Sequence, residues 1–204
     1  MDDLPWHTQA HCPQCASPTP DGQVCGACLK RPPAFDRSVA ALAYTFPLDR
    51  LIPRLKYHGR LAAAPALGAC LAQAAASSPR PDRLIAMPLH PTRIRERGFN
   101  HATEIAREVG KRLGIALDTS SCQRIRDTPP QKGLKRDARR RNVRGAFTCS
   151  GEIEGQHIAL VDDVMTTGTS LDELAVTLKR AGAREVTCWV VARTLPPGDI
   201  SGTR

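Results

Sequence analysis

The stretch that decides the fold reads Ile158-Ala-Leu-Val-Asp-Asp-Val-Met-Thr-Thr-Gly-Thr-Ser170. Its first four residues are apolar and predict a short buried strand. Two adjacent carboxylates, Asp162 and Asp163, follow directly, and a loop of small hydroxyl residues and glycine comes next. Ligands of open α/β sheets bind beyond the carboxyl ends of the strands. We therefore expect a binding site where this strand ends.

A helix predicted over residues 171–181 completes that site. Ser170 and Glu173 have the spacing of a capping box, and Gly182 suits a left-handed stop. Backbone N–H groups of residues 166–169, together with the helix dipole, can hold a phosphate. Carboxylates just upstream suit sugar hydroxyls and Mg²⁺, because both favour hard oxygen ligands. The pattern predicts a ribose 5-phosphate ligand, and without GxxxxGKS/T or GxGxxG a P-loop or dinucleotide fold is disfavoured.

Alternating strand and helix candidates surround this stretch and predict the fold class. Short apolar runs predict strands, and runs with apolar residues three and four apart predict helices. The predicted strands cover residues 38–46, 84–89, 158–161 and 186–191, and the predicted helices cover residues 61–76, 101–113 and 171–181. Short buried strands between amphipathic helices are typical of an α/β fold with a mostly parallel sheet flanked by helices.

Four cysteines near the N-terminus form two CxxC pairs, Cys12 with Cys15 and Cys25 with Cys28. Each pair brings two sulfurs to one side of a tight loop, and two pairs supply the four thiolates of a tetrahedral zinc site. A cytosolic redox pair is the alternative interpretation, which two pairs in tandem disfavour. We expect structural Zn²⁺ in a small zinc-ribbon-like element over residues 1–33, followed by a second domain over residues 34–204.

Other sequence features bear on the location of the protein. The remaining cysteines show no pairing pattern, so no secreted disulfide framework is expected; they are Cys70, Cys122, Cys149 and Cys188. Residues 61–76 are the best candidate for a membrane span but are too short and contain Pro65. The acidic N-terminus has no apolar segment typical of a signal peptide. We expect a cytoplasmic protein without membrane insertion.

The net charge of +9 is concentrated in one block of the chain. Residues 93–144 contain fifteen lysines and arginines against six acids, whereas the rest of the chain is balanced. Such a block predicts an anionic ligand, either polyphosphate, nucleic acid or both, and a solvated basic face is the alternative. We favour nucleic acid as the ligand of its downstream cluster, and a place in the pyrophosphate pocket is the alternative; the residues are Arg139, Arg140, Arg141 and Arg144.

Further sequence blocks accompany the cysteines and the fold-deciding stretch. They are Leu55-Lys-Tyr-His-Gly59, Pro88-Leu-His-Pro91, residues 93–100 and Thr128-Pro-Pro-Gln131. The fold-deciding stretch resembles the phosphoribosyl pyrophosphate (PRPP) motif of type I phosphoribosyltransferases. Nearly the whole chain resembles the ComF family, also described as GntX-like, which is associated with competence and DNA uptake in bacteria. The resemblance implies a type I phosphoribosyltransferase-like domain behind the zinc element.

The resemblance also implies roles for individual residues. Asp162 and Asp163 would take the ribose 2- and 3-hydroxyls, directly or through Mg²⁺. The 5-phosphate positions are Met165, Thr166, Thr167, Gly168, Thr169 and Ser170. The candidate pyrophosphate and lid positions are Pro88, Leu89, His90, Arg93, Arg95, Arg97, Arg126 and Lys132.

The function that the resemblance implies is PRPP binding, with present or former transfer of the phosphoribosyl group and release of pyrophosphate, in DNA uptake. The C1–O bond would break to give an oxocarbenium-like centre, which an acceptor nitrogen attacks. No residue pattern nominates the acceptor or a general base. Two alternatives stay open. One is a non-catalytic accessory that binds single-stranded DNA alongside proteins of the uptake machinery, and the other is a regulator that senses PRPP.

Overall fold

The structure, a computed structural model, describes residues 4–57, 62–128 and 136–195. Its strands are β1 (Arg37–Ala43), β2 (Arg83–Ala86), β3 (Leu117–Asp118), β4 (Cys122–Arg124), β5 (Phe147–Cys149), β6 (His157–Met165) and β7 (Glu185–Arg193). Five of them form a parallel sheet in the order β1-β7-β6-β2-β3, which places β6 in the middle. The expected α/β fold with a mostly parallel sheet is confirmed.

The helices flank this sheet. They are α1 (Gly26–Lys30), α2 (Leu48–Tyr57), α3 (Ala63–Ala75), α4 (Pro91–Arg97), α5 (His101–Leu113), α6 (Arg136–Val143) and α7 (Thr169–Arg180). Helices α3 and α5 pack on each other and on the sheet, whereas α7 packs on β7 and α6. A Cβ atom at Gly68 would lie 2.7 Å from the Cβ of Glu108, so glycine permits the close approach of α3 to α5. The predicted helices correspond to α3, α5 and α7.

The central strand extends further than its apolar residues indicate. It continues through Asp162 and Asp163 to Met165, rather than ending before the acids. The reason is its neighbour β7, which is equally long and pairs with β6 from His157 to Met165. A strand persists as long as its backbone keeps a partner, whatever the polarity of its side chains.

The start of α7 differs from the expected capping box. Gly168, not Ser170, is the N-cap residue, and the side chain of Glu173 accepts a hydrogen bond from the N–H of Gly145 at 2.7 Å. The capping-box prediction is therefore wrong, because Glu173 binds the segment that precedes β5. The expected left-handed stop is confirmed, since Gly182 has a φ of 92°.

Two cysteines without a sequence pairing pattern form a disulfide. Strands β4 and β5 are antiparallel, and their register sets Cys122 opposite Cys149 with a Cα–Cα distance of 4.4 Å. The sequence showed no pairing pattern for these two cysteines, because the β4–β5 register joins residues that are 27 positions apart. The bridge connects the two ends of the segment that contains α6. Cys70 and Cys188 are free and buried.

The N-terminal segment covers the outer edge of β1. The N–H of His7 donates to the carbonyl of Ala41 at 2.9 Å, and the N–H of Ser38 donates to the carbonyl of Pro13 at 3.0 Å. These bonds satisfy edge groups that would otherwise lack a partner. The division into domains at residue 33 stays a prediction. Among the described helices, none is both long and apolar enough to cross a membrane.

Candidate functional site

The loop of residues 166–169, which we call the phosphate loop after the ligand expected there, connects β6 to α7. Gly168 has a φ of 73°, a conformation that glycine adopts without strain. Because the N-cap residue has no side chain, nothing from that residue covers the first N–H groups of the 12-residue helix. The hydroxyls of Thr167 and Thr169 lie 2.7 Å apart beside them. N–H groups at a helix start, together with the helix dipole, suit a phosphate.

The two acids that precede this loop differ in their surroundings. Asp162 is half-buried, and its Oδ1 accepts the N–H of Asp163 at 2.9 Å. Asp163 is only 3% exposed; its Oδ1 accepts the N–H of Val164 at 2.7 Å. The Nε2 of His101, at the start of α5, lies 3.2 Å from Oδ2 of Asp163. Asp162 is therefore the more accessible acid, and Asp163 is held in place by its neighbours.

The residues at this point fit a divalent cation. Ligand atoms of His101, Asp162 and Asp163 all lie within 4.8 Å of one another. Mg²⁺ is usually bound by one or two carboxylates together with phosphate oxygens and water. The two acids provide such carboxylates, next to a loop that suits a phosphate. They therefore fit the Mg²⁺ that the resemblance implies.

The segment after β2 lies close to the acids. Met87 to His90 connect β2 to α4, and the ring Nδ1 of His90 accepts the N–H of Thr92 at 3.3 Å as the helix cap. The side chain of Asn100 donates to the carbonyl of Met87 at 3.0 Å and caps α5 through the N–H of Ala102. Pro88 and Leu89 line a cavity of about 280 Å³ that also contacts Asn100. Two of the candidate pyrophosphate residues thus border this cavity, and neither Asp162 nor Asp163 is among its lining residues.

The arginines predicted to bind pyrophosphate contact different partners in the structure. Arg93 lies 2.9 Å from Glu96 and 3.7 Å from Asp127, and Arg95 donates to the hydroxyl of Thr92 at 3.3 Å. Arg97, at the end of α4, is half-buried. Arg126 donates to the carbonyl of Arg144, beyond the end of α6. Lys132 lies outside the described residues.

Arg124 is not among the candidate site residues, although it begins the stretch, residues 124–135, where the resemblance implies a basic lid. It ends β4, its guanidinium stacks 5.5 Å from the ring of Phe147, and it donates to the hydroxyl of Thr128. Burial lowers the pKa of Arg124; the nearby carboxylates of Asp127 and Asp162 oppose this shift without cancelling it, and Arg93 adds to it. The guanidinium thus lies among the charged groups near Asp162, where it can meet an anionic ligand. Its position depends on the β4–β5 hairpin, which the sequence did not predict.

The four cysteines come together as the sequence predicts. The sulfurs of Cys15 and Cys25 lie 3.6 Å apart, and those of all four cysteines lie within 4.8 Å of one another. A tetrahedral zinc centre with Zn–S bonds of about 2.3 Å separates its sulfurs by about 3.8 Å. The four-cysteine site, Cys12, Cys15, Cys25 and Cys28, therefore fits Zn²⁺. The two nearby histidines hydrogen-bond to carbonyls, His7 to Ala16 and His11 to Gln9.

The thiols of this site differ in acidity. Burial raises the pKa of Cys15, but hydrogen bonds from Ser17, Cys28 and Cys25 outweigh burial and lower it to about 7. Burial raises the pKa of Cys28, and the charge of Cys15 raises it further. Burial likewise raises the pKa of Cys25. A thiolate at Cys15 near neutral pH is the form in which cysteine binds a metal.

The downstream basic cluster lies on and beyond α6. A cavity of about 690 Å³ between α6 and α7 is lined by Arg31, Arg140, Arg141, Arg144 and Arg180, together with Asp172 and Glu173. Arg140 lies 3.8 Å from Asp172 in the first turn of α7 and also lines the cavity at the phosphate loop. The side chain of Arg139 lies outside the described part. Arg140 is therefore closer to the phosphate loop than its place in the sequence indicates.

Comparisons with known proteins establish the family. A family model described as "Phosphoribosyl transferase domain" matches residues 94–197. DNA utilization protein YhgH of Salmonella typhi is 37% identical over 191 residues, which cover 90% of this chain and 84% of that protein. Competence protein F of Haemophilus influenzae is 33% identical over 180 residues, which cover 84% of this chain and 79% of that protein.

Among solved structures, purine phosphoribosyltransferase from Pyrococcus horikoshii aligns with 68% of this chain and 91% of its own. The identity is 18% and the TM-score is 0.40. The matched domain model and the two relatives, each similar over most of this chain, agree with the motifs quoted above. The chain belongs to the ComF family of proteins with a phosphoribosyltransferase domain.

Proposed function

We propose that the chain binds PRPP with Mg²⁺ at the carboxyl end of β6 and transfers the phosphoribosyl group to a nitrogen acceptor, with release of pyrophosphate. The names of its relatives, DNA utilization protein and competence protein F, support a role in the handling of DNA taken up by the cell. One observation carries the proposal. Asp162 and Asp163 stand on the central strand directly before a glycine-containing loop that opens helix α7.

The two acids have different roles at the ribose. Asp162 is half-buried near the cation of Arg124, so it is the direct partner of the sugar hydroxyls. Asp163 is buried against His101 and fixes the strand end. Residues 165–170 hold the 5-phosphate through backbone N–H groups and hydroxyls, since an anion is favoured at a helix start.

Pyrophosphate leaves on the side of the site where α4 and β4 supply cations. Arg93 and Arg124 both lie near Asp127 and can contact phosphate oxygens there. The C1–O bond breaks with its electron pair going to pyrophosphate, and the nitrogen lone pair then bonds to C1 and the nitrogen releases its proton. Mg²⁺, when bound, neutralises pyrophosphate charge. The arginines stabilise the same charge electrostatically.

Isothermal titration calorimetry with PRPP and Mg²⁺ tests the assignment. Asp162→Asn should weaken binding by about one to two decades, since a charge-assisted contact contributes about 1.5–3 kcal/mol. Adding Asp163→Asn should weaken it further. Asp82→Asn is the matched control, because Asp82 accepts the N–H of His157 at the opposite end of β6. PRPP affinity that is unchanged in the double variant contradicts the proposal.

Turnover is a separate measurement from binding. Release of pyrophosphate from PRPP with a panel of nitrogenous acceptors would support transfer. Binding of PRPP without release for any acceptor would instead support a regulator that senses PRPP.

Nucleic-acid binding is the second candidate function, and one observation favours it. Arg31, Arg141, Arg144 and Arg180 are exposed around the cavity between α6 and α7. Clustered arginines on an open surface suit a chain of phosphates. Single-stranded DNA is such a chain of phosphates. The names of the relatives, DNA utilization protein and competence protein F, are the reason to test it.

A salt titration of binding to a labelled oligothymidylate tests the second candidate. Each phosphate contact contributes a slope of about −0.7 in log K against log salt for single strands. Arg141→Ala with Arg144→Ala should flatten the slope and leave PRPP affinity unchanged. Arg140 is left intact, because it lines the cavity at the phosphate loop. Arg107→Ala with Arg112→Ala, two exposed arginines of α5, is the control. A slope that is the same in all three proteins argues against this surface.

A further inference from the structure

One buried guanidinium connects two parts of the candidate site. Arg193 is the last residue of β7 and is 7% exposed. Its Nε donates to the carbonyl of Cys15 at 2.8 Å, and its Nη2 donates to the hydroxyl of Ser17 at 2.7 Å. Two of its nitrogens therefore bind the chain immediately around a ligand of the four-cysteine site.

The third nitrogen of the guanidinium binds the last residue of β6 and the first residue of the phosphate loop. Nη1 donates to the carbonyl of Met165 at 2.9 Å and to the carbonyl of Thr166 at 2.5 Å. The register of β6 and β7 sets Arg193 opposite Met165, so this contact follows from the sheet itself. A planar guanidinium with fixed N–H directions constrains both sets of partners at once, as a lysine could not.

The two parts also face each other across a cavity of about 430 Å³. Cys15, Cys25 and Cys28 line one side, and Thr166, Thr167 and Gly168 line the other. The four-cysteine site is thus a wall of the space beside the phosphate loop.

We propose that Arg193 is a positioning residue that couples the four-cysteine site to the phosphate loop, so that bound zinc raises the affinity of the loop for a phosphate-bearing ligand. The inference rests on the proposed function, with PRPP as the ligand. Zinc fixes the backbone from Cys12 to Cys28, and with it the carbonyl of Cys15 and the hydroxyl of Ser17. Those acceptors fix the guanidinium, which in turn orients the carbonyls of Met165 and Thr166.

Thermodynamic linkage makes this coupling reciprocal. If zinc tightens PRPP binding by some factor, PRPP must tighten zinc binding by the same factor. Couplings of this kind are typically about 5- to 150-fold. A purely structural zinc site that merely completes the fold would show no such matched pair of factors in folded protein.

The experiment measures PRPP affinity by calorimetry in zinc-loaded and chelator-stripped protein, and zinc release to a chromophoric chelator with and without PRPP. We expect PRPP to bind at least about fivefold more tightly to the zinc-loaded protein and to slow zinc loss by a matching factor. Circular dichroism checks that the stripped protein keeps its sheet and helices. Zinc-independent PRPP affinity overturns the coupling but leaves the proposed function intact. Absence of PRPP binding to the zinc-loaded protein overturns the proposed function itself.

Variants measured in the zinc-loaded state test the coupling through Arg193 even if the zinc-free protein unfolds. Arg193→Lys should keep the zinc content but weaken PRPP binding by at least about fivefold and abolish the effect of PRPP on zinc release. Ser17→Ala removes one of the contacts and should reduce the coupling partially. Arg80→Lys is the matched control, because Arg80 also donates to two backbone carbonyls, those of Leu113 and Gly114, at the end of α5. PRPP affinity and zinc release that are the same in Arg193→Lys as in the control overturn the assignment.

Discussion

His101 begins α5 directly after Asn100, the residue that caps this helix. Asn100 binds the carbonyl of Met87, and His101 faces Asp163 at 3.2 Å. Two consecutive side chains therefore connect the turn after β2 with the acids of β6. A mainly hydrophobic helix face gives no reason for a histidine at this buried position, whereas the contact with Asp163 does.

Replacing His101 tests this contact. His101→Ala should lower the free energy of unfolding by about 1–3 kcal/mol, because Asp163 stays buried and loses a partner. His101→Gln retains an N–H donor and should lose less. Urea denaturation followed by circular dichroism measures both, and PRPP titration of the same variants shows whether the loss reaches the ligand. Equal stability of His101→Ala and the unchanged protein would contradict the role assigned to this histidine.

At the scale of elements, Asp118 ends the short edge strand β3 and organises the turn that follows it. Its Oδ1 accepts the N–H groups of Ser120 at 2.9 Å and Ser121 at 3.0 Å, and Oδ2 lies 3.1 Å from Arg83. Burial raises the pKa of Asp118, but the hydrogen bonds from Ser121 and Ser120 and the guanidinium of Arg83 outweigh it. The pKa of Asp118 is therefore well below its usual value.

This depressed pKa predicts a pH dependence of stability. In the unfolded chain Asp118 takes up a proton near pH 4, whereas in the folded chain it stays ionised to lower pH. The stability that ionised Asp118 adds to the folded state is therefore complete above about pH 4 and is lost as the pH falls through the pKa of the folded state. At pH 7, Asp118→Asn should have a lower denaturation midpoint than the unchanged protein. At pH 3, the difference between the two midpoints should be smaller. A difference that is the same at both pH values would contradict this account.

The sequence predicted α3, α5 and α7, which bury an apolar face, but missed α2, which also buries one through Leu48, Ile52 and Leu55. The expected helix over residues 101–113 has the bounds observed for α5, which buries Ile105 and Val109. Helix α4 has no buried residue, so hydrophobic periodicity could not indicate it. The β4–β5 hairpin and its disulfide depend on a register between distant residues. The loop between β6 and α7 and the cysteine pairs could be located because each is continuous or closely spaced in sequence. The contacts of Arg124 and Arg193 could not be predicted, because they form only in the assembled sheet and hairpin.

At the scale of the whole molecule, the four-cysteine site, the loop between β6 and α7 and the basic surface of α6 border adjoining cavities. The cavity at the phosphate loop and the cavity between α6 and α7 share Arg31, Arg140 and Asp172. A phosphate ligand on the loop and a polyanion on α6 would therefore occupy adjoining spaces.

The four-cysteine site predicts the metal content of the purified protein. Protein prepared without chelator should contain about one Zn²⁺ per chain, because four thiolates saturate a tetrahedral site. Cys25→Ser should lower that content and the melting temperature, whereas Cys70→Ser, at a buried cysteine outside the site, should not change the zinc content. Elemental analysis gives the ratio. Metal-free protein with a Cys12–Cys15 disulfide would favour a redox pair instead.

The central claim is that the end of β6 and the phosphate loop hold a ribose 5-phosphate. A crystal structure of the zinc-loaded protein with PRPP and Mg²⁺ measures this directly. The 5-phosphate is expected within hydrogen-bonding distance of the N–H groups of residues 166–169, and the ribose hydroxyls are expected at Asp162. A 5-phosphate bound elsewhere, or a phosphate loop without ligand in crystals that contain PRPP, would contradict this assignment.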